Sequence, residues 1–362
     1  MKIIKKLIPV GMVLPFYRIK GMTEKKVSDE NKKLLDGAKC TRKSIYELAA
    51  CGNKFKDFVS EYANCKLNVK KQWSTADDME NPVAICVVKN DLMRMKLFLK
   101  YYRNLGVKQF AILDDHSDDG TFEFLSEQSD VMLFTTDKGY TTVRRQAWIT
   151  KIVEQVGFNR WYLILDSDEL FDYKDSDKKN LKKLATELHS KGITRQKVIL
   201  LDMFAADALY SEKISNEDDV VKVCNLFFPE YFLEKTLYDK RIRGGARGVL
   251  LNDMKKKSPH VSKYPLIYAD ERDVFLNSHY YYPFVRNKPD KPSSVLRHYK
   301  FLPGDKKKYE ERIKKGNFFG NSKDYVAYLT IEQNVDYKKI VETMEVYKDF
   351  SSTNSISIME VK

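Results

Sequence analysis

A chain of 362 residues is long enough for one large domain or two ordinary ones. Hydrophobic residues at 43% and charged residues at 32% give a globular balance, which excludes a disordered or membrane-embedded protein. The formal net charge of +13 directs attention to anionic partners: nucleic acid, lipid headgroups or phosphorylated small molecules.

The charge is uneven. Residues 1–26 hold seven basic residues, Lys2, Lys5, Lys6, Arg18, Lys20, Lys25 and Lys26, against the single acid Glu24. Ile3, Ile4, Leu7 and Ile8 form a small apolar face beside Lys2, Lys5 and Lys6. The segment is either a solvated basic tail or an anchor in the headgroup layer of an anionic membrane. A signal peptide does not fit, because Pro9 and Pro15 interrupt the apolar part and no small-residue cleavage site follows. No apolar run approaches the roughly 20 residues that span a bilayer. The cysteines, Cys40, Cys51, Cys65, Cys86 and Cys224, show no Cys-x-x-Cys spacing. That argues against a disulfide framework or zinc site and suits a reducing compartment.

Residues 27–80 are polar and mostly helical in pattern, with short amphipathic stretches at 44–48 and 55–62, and carry no evident chemistry. Asn81-Pro82 breaks the pattern. Residues 83–88 then form a continuous apolar run, as a buried parallel strand does. A helix is predicted over 91–105, with Leu92, Met95, Leu99 and Tyr102 on one face and Gly106 as its C′ residue. Strands follow at 110–113, 131–134, 161–165 and 198–201, and helices at 121–127, 142–156 and 181–191. This alternation means βαβ units: an α/β fold with a mostly parallel sheet flanked by helices on both faces. Residues 203–330 lack the alternation and read as irregular structure with short strands over one edge of the sheet. Residues 336–350 read as a final helix with Ile340, Met344 and Tyr347 on one stripe.

Ligands bind beyond the carboxyl ends of strands in open parallel sheets. Polar residues collect there: Lys89-Asn90-Asp91, then Asp114 to Asp119, then Asp166-Ser167-Asp168-Glu169. Asp166 and Asp168, one residue apart at the end of a buried strand, can hold Mg2+ or Mn2+ through oxygen and leave positions for phosphate. Such a cation neutralises a leaving diphosphate. The bland alternative is a solvated loop with Asp168 or Glu169 near a helix start. The chain has no Gly-x-Gly-x-x-Gly after the first strand, no Gly-x-x-x-x-Gly-Lys-Ser/Thr loop and no Gly-x-Ser-x-Gly elbow. Dinucleotide-binding, P-loop and serine-hydrolase chemistry are therefore disfavoured.

The texts VAICVVKNDLMRMKLFLKYYRNLGVKQFAILDDHSDDGT, VRRQAW and WYLILDSDELF resemble the nucleotide-binding half of glycosyltransferase family 2, with its GT-A fold. The KND opening and DSDELF are similar to a bacterial subgroup associated with surface polysaccharide assembly. RIRGGARGVLLN, SKYPLIYA, NSHYYYP and VLRHYKFLPGD look like that subgroup's acceptor-side half. The resemblance covers about residues 82–330. It implies a nucleotide-sugar-binding half (81–202) and an acceptor-side half (203–330); the basic leader and helical extension (1–80) and a C-terminal helix (331–362) lie outside it and are read from charge and periodicity.

By position, the resemblance implies donor-nucleotide contacts at Asn90, at Asp114 or Asp115, at Arg145 (or Arg144) and at Asp166. It implies a divalent cation, Mn2+ or Mg2+, on Asp166, Asp168 and His298, with His279 as a weaker alternative to His298. Arg243 and Arg247, among Gly244, Gly245 and Gly248, either approach phosphate or flank a tight turn. An inverting transfer needs a carboxylate base. No clear Glu-Asp motif supplies it, and Asp202 and Glu169 are the candidates. The expected activity is transfer of a sugar from a nucleotide-diphosphate donor to a glycan or lipid-linked acceptor. The expected place is the cytoplasm, at the inner face of the cell membrane. The alternatives are a metal-dependent nucleotidyl- or phosphotransferase, disfavoured by the lack of glycine in Val87 to Met93, and a polyanion-binding protein. No nucleic-acid-binding motif is present, and the functional rim is acidic, so nucleic acid is not an expected partner.

Overall fold

The computed structural model describes residues 27–235, 240–250, 260–277, 279–287, 292–315, 323–334 and 336–360. The basic leader expected to meet the membrane, residues 1–26, lies outside them. No helix among the described residues is long and apolar enough to cross a membrane.

Helices α1 (Asp29–Gly37), α2 (Lys43–Ala49) and α3 (Lys56–Ala63) precede strand β1 (Asn68–Lys71). The α/β alternation follows as β2 (Val83–Val88), α4 (Leu92–Asn104), β3 (Phe110–Asp114), α5 (Thr121–Glu127), β4 (Val131–Thr135), α6 (Thr142–Val156) and β5 (Arg160–Leu165). It continues through β6 (Glu169–Tyr173), α7 (Leu181–Ser190) and β7 (Arg195–Asp202). The helix boundaries are set by local chemistry. Gly106 ends α4 at φ 88°, with Val107 N bonded to Tyr102 O and Gly106 N to Arg103 O, the paired bonds of a left-handed C-terminal cap. The Thr141 and Asn180 side chains cap α6 and α7 by accepting from the backbone of Arg144 and Lys183.

Beyond β7 come β8 (Phe204–Ala205), α8 (Glu217–Val223), β9 (Cys224–Phe227), β10 (Glu230–Lys235), β11 (Lys240–Gly244), α9 (Ala246–Leu250), β12 (Ser262–Ala269), β13 (Val274–Asn277), β14 (Tyr280–Tyr282) and β15 (Ser294–His298). The chain ends in α10 (Asp305–Lys315), α11 (Lys323–Asn334), α12 (Tyr337–Val341), β16 (Glu345–Val346) and β17 (Ser357–Glu360).

The main sheet has nine strands in the order β1-β4-β3-β2-β5-β12-β7-β15-β6. The pairings β3/β4, β2/β3, β2/β5 and β7/β15 are parallel. The pairings β1/β4, β5/β12, β7/β12 and β6/β15 are antiparallel. The fold is thus α/β, with a large mixed sheet whose central strands mostly share one direction. Two expectations change here. β12 and β15 are not laid over one edge: β12 is inserted between β5 and β7, and β15 lies between β7 and β6. Glu169 belongs to a strand, not to a solvated loop, because β6 pairs with β15 along its whole length.

The N-terminal extension is part of the same body. β1 closes one edge of the sheet, and Leu35, Ile45, Leu48, Phe58 and Val59 pack with Ala147, Val274 and Leu276. The tail is not one helix. After α12 the chain pairs β16 with β9 and β17 with β10. Ile340 and Met344 pack near Phe204 and Tyr210. Tyr347 instead turns into the main core, where its hydroxyl donates to Asp172 at 2.6 Å. The helical spacing of the stripe gave way to these separate packing partners.

A buried ion cluster fastens the hairpin β13–β14 to the sheet. Arg195 is fully buried, pairs with Asp273, and donates to the Tyr281 and Pro283 carbonyls at 3.2 and 3.1 Å. Arg286 meets Asp273 at 2.5 Å and Asp270 at 3.1 Å. Arg195→Ala leaves Asp273 to Arg286 and takes a buried donor from the Tyr281 and Pro283 carbonyls; it is expected to cost about 3 kcal/mol, read by denaturant unfolding. Burial pushes the Asp270 carboxyl up, but the hydrogen bonds from Arg272 and the charge of Arg286 outweigh it and bring it to about 2. The unfolded value is about 3.9, so this contribution is fully present above about pH 4 and is lost as the pH falls through 2. The stability difference between wild type and Asp270→Asn is therefore expected to shrink between pH 5 and pH 2.

Candidate functional site

The carboxyl ends of β2, β3, β5, β7 and β15 meet at one rim of the sheet. Because β6 and β12 run the opposite way, their first residues reach the same rim and deliver Glu169 and Lys263. A cavity of about 800 Å3 opens there. Of the residues expected from sequence, Asn90, Asp115, Arg144, Arg145, Asp166, Asp168 and His298 line it; Asp114, Glu169, Asp202 and His279 do not.

Asp166 and Asp168 have different surroundings. Arg145 reaches Asp166 Oδ1 at 2.5 Å while Lys263 Nζ lies 3.3 Å from Oδ2. Burial acts upward on this carboxyl, but the two cations outweigh it and hold it at about 2. Asp168 faces His298, with Oδ2 3.2 Å from Nε2. Burial again acts upward, and the histidine outweighs it, so the Asp168 carboxyl sits well below the usual range. The His298 ring is pulled down by burial and up by Asp168, and the upward pull wins. Lys263 also pairs with Glu169, whose carboxyl is nevertheless raised by burial.

Asp202 lies behind the histidine. In the register of β7 and β15 it is directly opposite His298, and His298 Nδ1 bonds Asp202 Oδ1 at 2.5 Å. A carboxylate behind one ring nitrogen turns the other outward as a ligand. The residues fit a divalent cation on this ground: Asp168 supplies carboxylate oxygen, and His298 Nε2 is fixed from behind. Among the described residues, Asp168, Glu169 and His298 form the one acid–histidine group close enough to share an ion, with one atom from each within 4.8 Å of the others. This differs from the expected trio in exchanging Asp166 for Glu169. Asp166 borders the cavity, whereas Glu169 is buried against Lys263, so Asp168 and His298 are the two members common to both sets.

On the β2–β3 side of the cavity, Asn90 stands at φ 50°, a left-handed conformation that asparagine tolerates. Its amide donates to Asp118 at 2.6 Å and its side-chain oxygen accepts Asp118 N at 2.8 Å, so it braces the loop as well as bordering the cavity. Asp114 and Asp115 face different ways. Asp114 turns inward: Oδ1 accepts Ser117 N at 2.9 Å, and the buried Oδ2 has no partner among the described residues. Asp115 turns to the cavity, where Oδ2 accepts Tyr140 N at 3.1 Å. Arg145, not Arg144, reaches the acid loop; Arg144 meets Glu61 at 3.2 Å.

Two other expectations move away from the site. His279 stacks on His260 at 4.8 Å and bonds Ser262 O at 2.7 Å. Arg243 pairs with Glu234 at 2.8 Å beside Gly244 and Gly245, both at positive φ, where a Cβ on Gly245 would meet the Tyr231 ring at 2.6 Å. That is the tight-turn alternative. The Arg247 side chain lies outside the described residues. Sequence reasoning missed Lys263, Arg94, Asp305 and Lys308. Only Lys263 carried a signal, as a lone cation in an otherwise apolar and aromatic strand.

Comparison with protein-family models and with curated proteins finds no match to this chain.

The two roles for Asp202 separate by experiment. If it only holds His298, Asp202→Asn weakens divalent-cation binding by about 10–100-fold, read by calorimetric titration of Mn2+. If it were the base, the same variant would keep cation affinity and lose turnover alone.

Proposed function

We propose that this chain is a metal-dependent glycosyltransferase of the GT-A type, moving a sugar from a nucleotide-diphosphate donor to a glycan or lipid-linked acceptor. The observation that carries this reading is the pair Asp168–His298, with Asp202 behind the ring, opening into a polar cavity beside Asp115 and Arg145. The resemblance to glycosyltransferase family 2 adds the inverting outcome and a role in surface polysaccharide synthesis. The reading extends to the cytoplasmic face of the membrane, reached through the basic leader.

In this reading the nucleotide lies between the β2 and β3 loops, with Asp115 accepting from base or ribose. The diphosphate lies toward Asp168 and His298. A divalent cation held there supplies neutralisation of the leaving diphosphate. Arg145 and Lys263 keep Asp166 ionised and fixed, and Asp202 keeps Nε2 of His298 directed at the site. Lys300, Lys308 and Arg312 add positive charge to the cavity wall, which suits phosphate. Asp202 and Glu169 are left out of the proton transfer, because neither borders the cavity.

The test is hydrolysis of a panel of uridine, guanosine, cytidine and thymidine sugars with Mn2+, Mg2+ or chelator. Slow release of one nucleoside diphosphate is expected, lost with chelator and reduced at least about a hundredfold in Asp168→Ala. Release of pyrophosphate or transfer of a phosphoryl group would replace this reading with the nucleotidyl- or phosphotransferase one. Neither binding nor turnover across the panel would remove the donor assignment and favour a non-catalytic role.

A further inference from the structure

The proposed chemistry leaves one buried charge cluster at the rim without a role. Arg94, on the first turn of α4, has a side chain only 6% exposed and is bonded on several sides. Its Nη1 lies 3.0 Å from Asp91 Oδ1 and 3.0 Å from Asp305 Oδ1; its Nη2 lies 2.5 Å from Asp305 Oδ2. Nε and Nη2 both donate to the Tyr299 carbonyl, at 3.0 and 2.7 Å. Lys308 adds a second cation, 3.2 Å from Asp91 Oδ1.

The ends of this cluster fall on particular peptides. Asp91 Oδ2 accepts the hydroxyl of Ser167, the residue between Asp166 and Asp168. Tyr299, whose carbonyl Arg94 grips, directly follows His298, and its own N–H donates to the Asp168 carbonyl at 2.8 Å. Asp305 opens α10, whose Lys308 and Arg312 line the cavity. Sequence positions 91–94, 167, 299 and 305–308 are thus joined through one guanidinium.

An ion cluster that served stability alone would have no reason to end on these segments, and buried ion pairs are weak stabilisers beside well-packed apolar groups. A guanidinium is planar and presents its donors in a fixed fork, so two carboxylates and a carbonyl bound to it are held in one mutual orientation. An ammonium on a flexible stem cannot impose that orientation.

We infer that Arg94 is a positioning residue for the cation site. Through Asp91 and Ser167 it sets the loop that carries Asp168. Through the Tyr299 carbonyl it sets the strand end that carries His298. Through Asp305 it sets the root of the helix that roofs the cavity. The inference rests on the assignment of Asp168 and His298 to a divalent cation.

The test is titration of Mn2+ alone into the full chain by calorimetry, for wild type, Ser167→Ala, Arg94→Lys and Arg94→Met, with each melting temperature measured alongside. Ser167→Ala removes one hydroxyl and leaves Arg94 with all its partners. It is expected to weaken Mn2+ about tenfold with an unchanged melting temperature. Arg94→Lys keeps the charge but not the fork, and is expected to weaken Mn2+ by at least as much. Arg94→Met is expected to lose about a hundredfold; if it does not fold, the other two variants decide. Wild type that takes up no Mn2+ would overturn the cation assignment, and this inference with it. Wild type that binds Mn2+, with Ser167→Ala and Arg94→Lys binding equally well, would overturn the positioning role alone. Loss of binding only where the melting transition is also lost would overturn it too, by reducing Arg94 to a structural part.

Discussion

Three acids within four positions, Asp166, Asp168 and Glu169, come together at the end of one strand, and the arrangement around them follows from the need to pair that charge. Two like charges about 4 Å apart repel by about 4 kcal/mol at an effective dielectric constant near 20, so such a loop is not stable by itself. Lys263 answers most directly, because a single amine meets both Asp166 and Glu169. Burial penalises the Lys263 cation, but Glu169 and Asp166 outweigh it and keep the amine protonated. The acids and the lysine are therefore mutually dependent, and each is tolerated at the rim because the other is there.

The sheet order is what brings these partners together. β12 enters antiparallel between β5 and β7, so its first residues rather than its last lie at the rim that holds the cavity. β15 and β6 complete the arrangement through register. His298 is the partner of Asp202 on β7 and of Glu169 on β6. A slip of one residue in either pairing would reverse which face each side chain points to. The candidate cation site is thus a product of strand register, and the apolar runs beneath it hold that register by burial.

The cavity itself is polar for a small-molecule site, with Val87 and Val88 among its few apolar walls. Its roof is an aromatic and cationic surface: Arg312 donates to the Tyr325 hydroxyl at 2.9 Å, and Lys300 lies 5.5 Å from the centre of the Tyr328 ring. Rings of this kind hold cations without neutralising them, which leaves positive potential facing the acids across the cavity. A ligand that is itself charged, and that carries both anionic and hydroxyl groups, suits such walls better than an apolar one.

The sequence determined the α/β character, the strands at 83–88, 110–113, 131–134 and 161–165, the helices between them, and the acids at 114–119 and 166–169 that follow the strand ends; the family resemblance added Arg145 and His298. These are local properties: an apolar run reports its own burial, a glycine marks its own helix end, and the residue after a buried strand is at the strand's end wherever that strand goes. The tertiary structure decided which neighbours those residues meet. It turned Asp115 to the cavity and Asp114 inward, set Asp202 behind His298 instead of in the cavity, brought Lys263 and Arg94 to the rim, and ended the expected last helix after α12, with short strands beyond it. Each of these depends on pairing between segments distant in the chain, and the periodicity of a single segment carries no record of its partner.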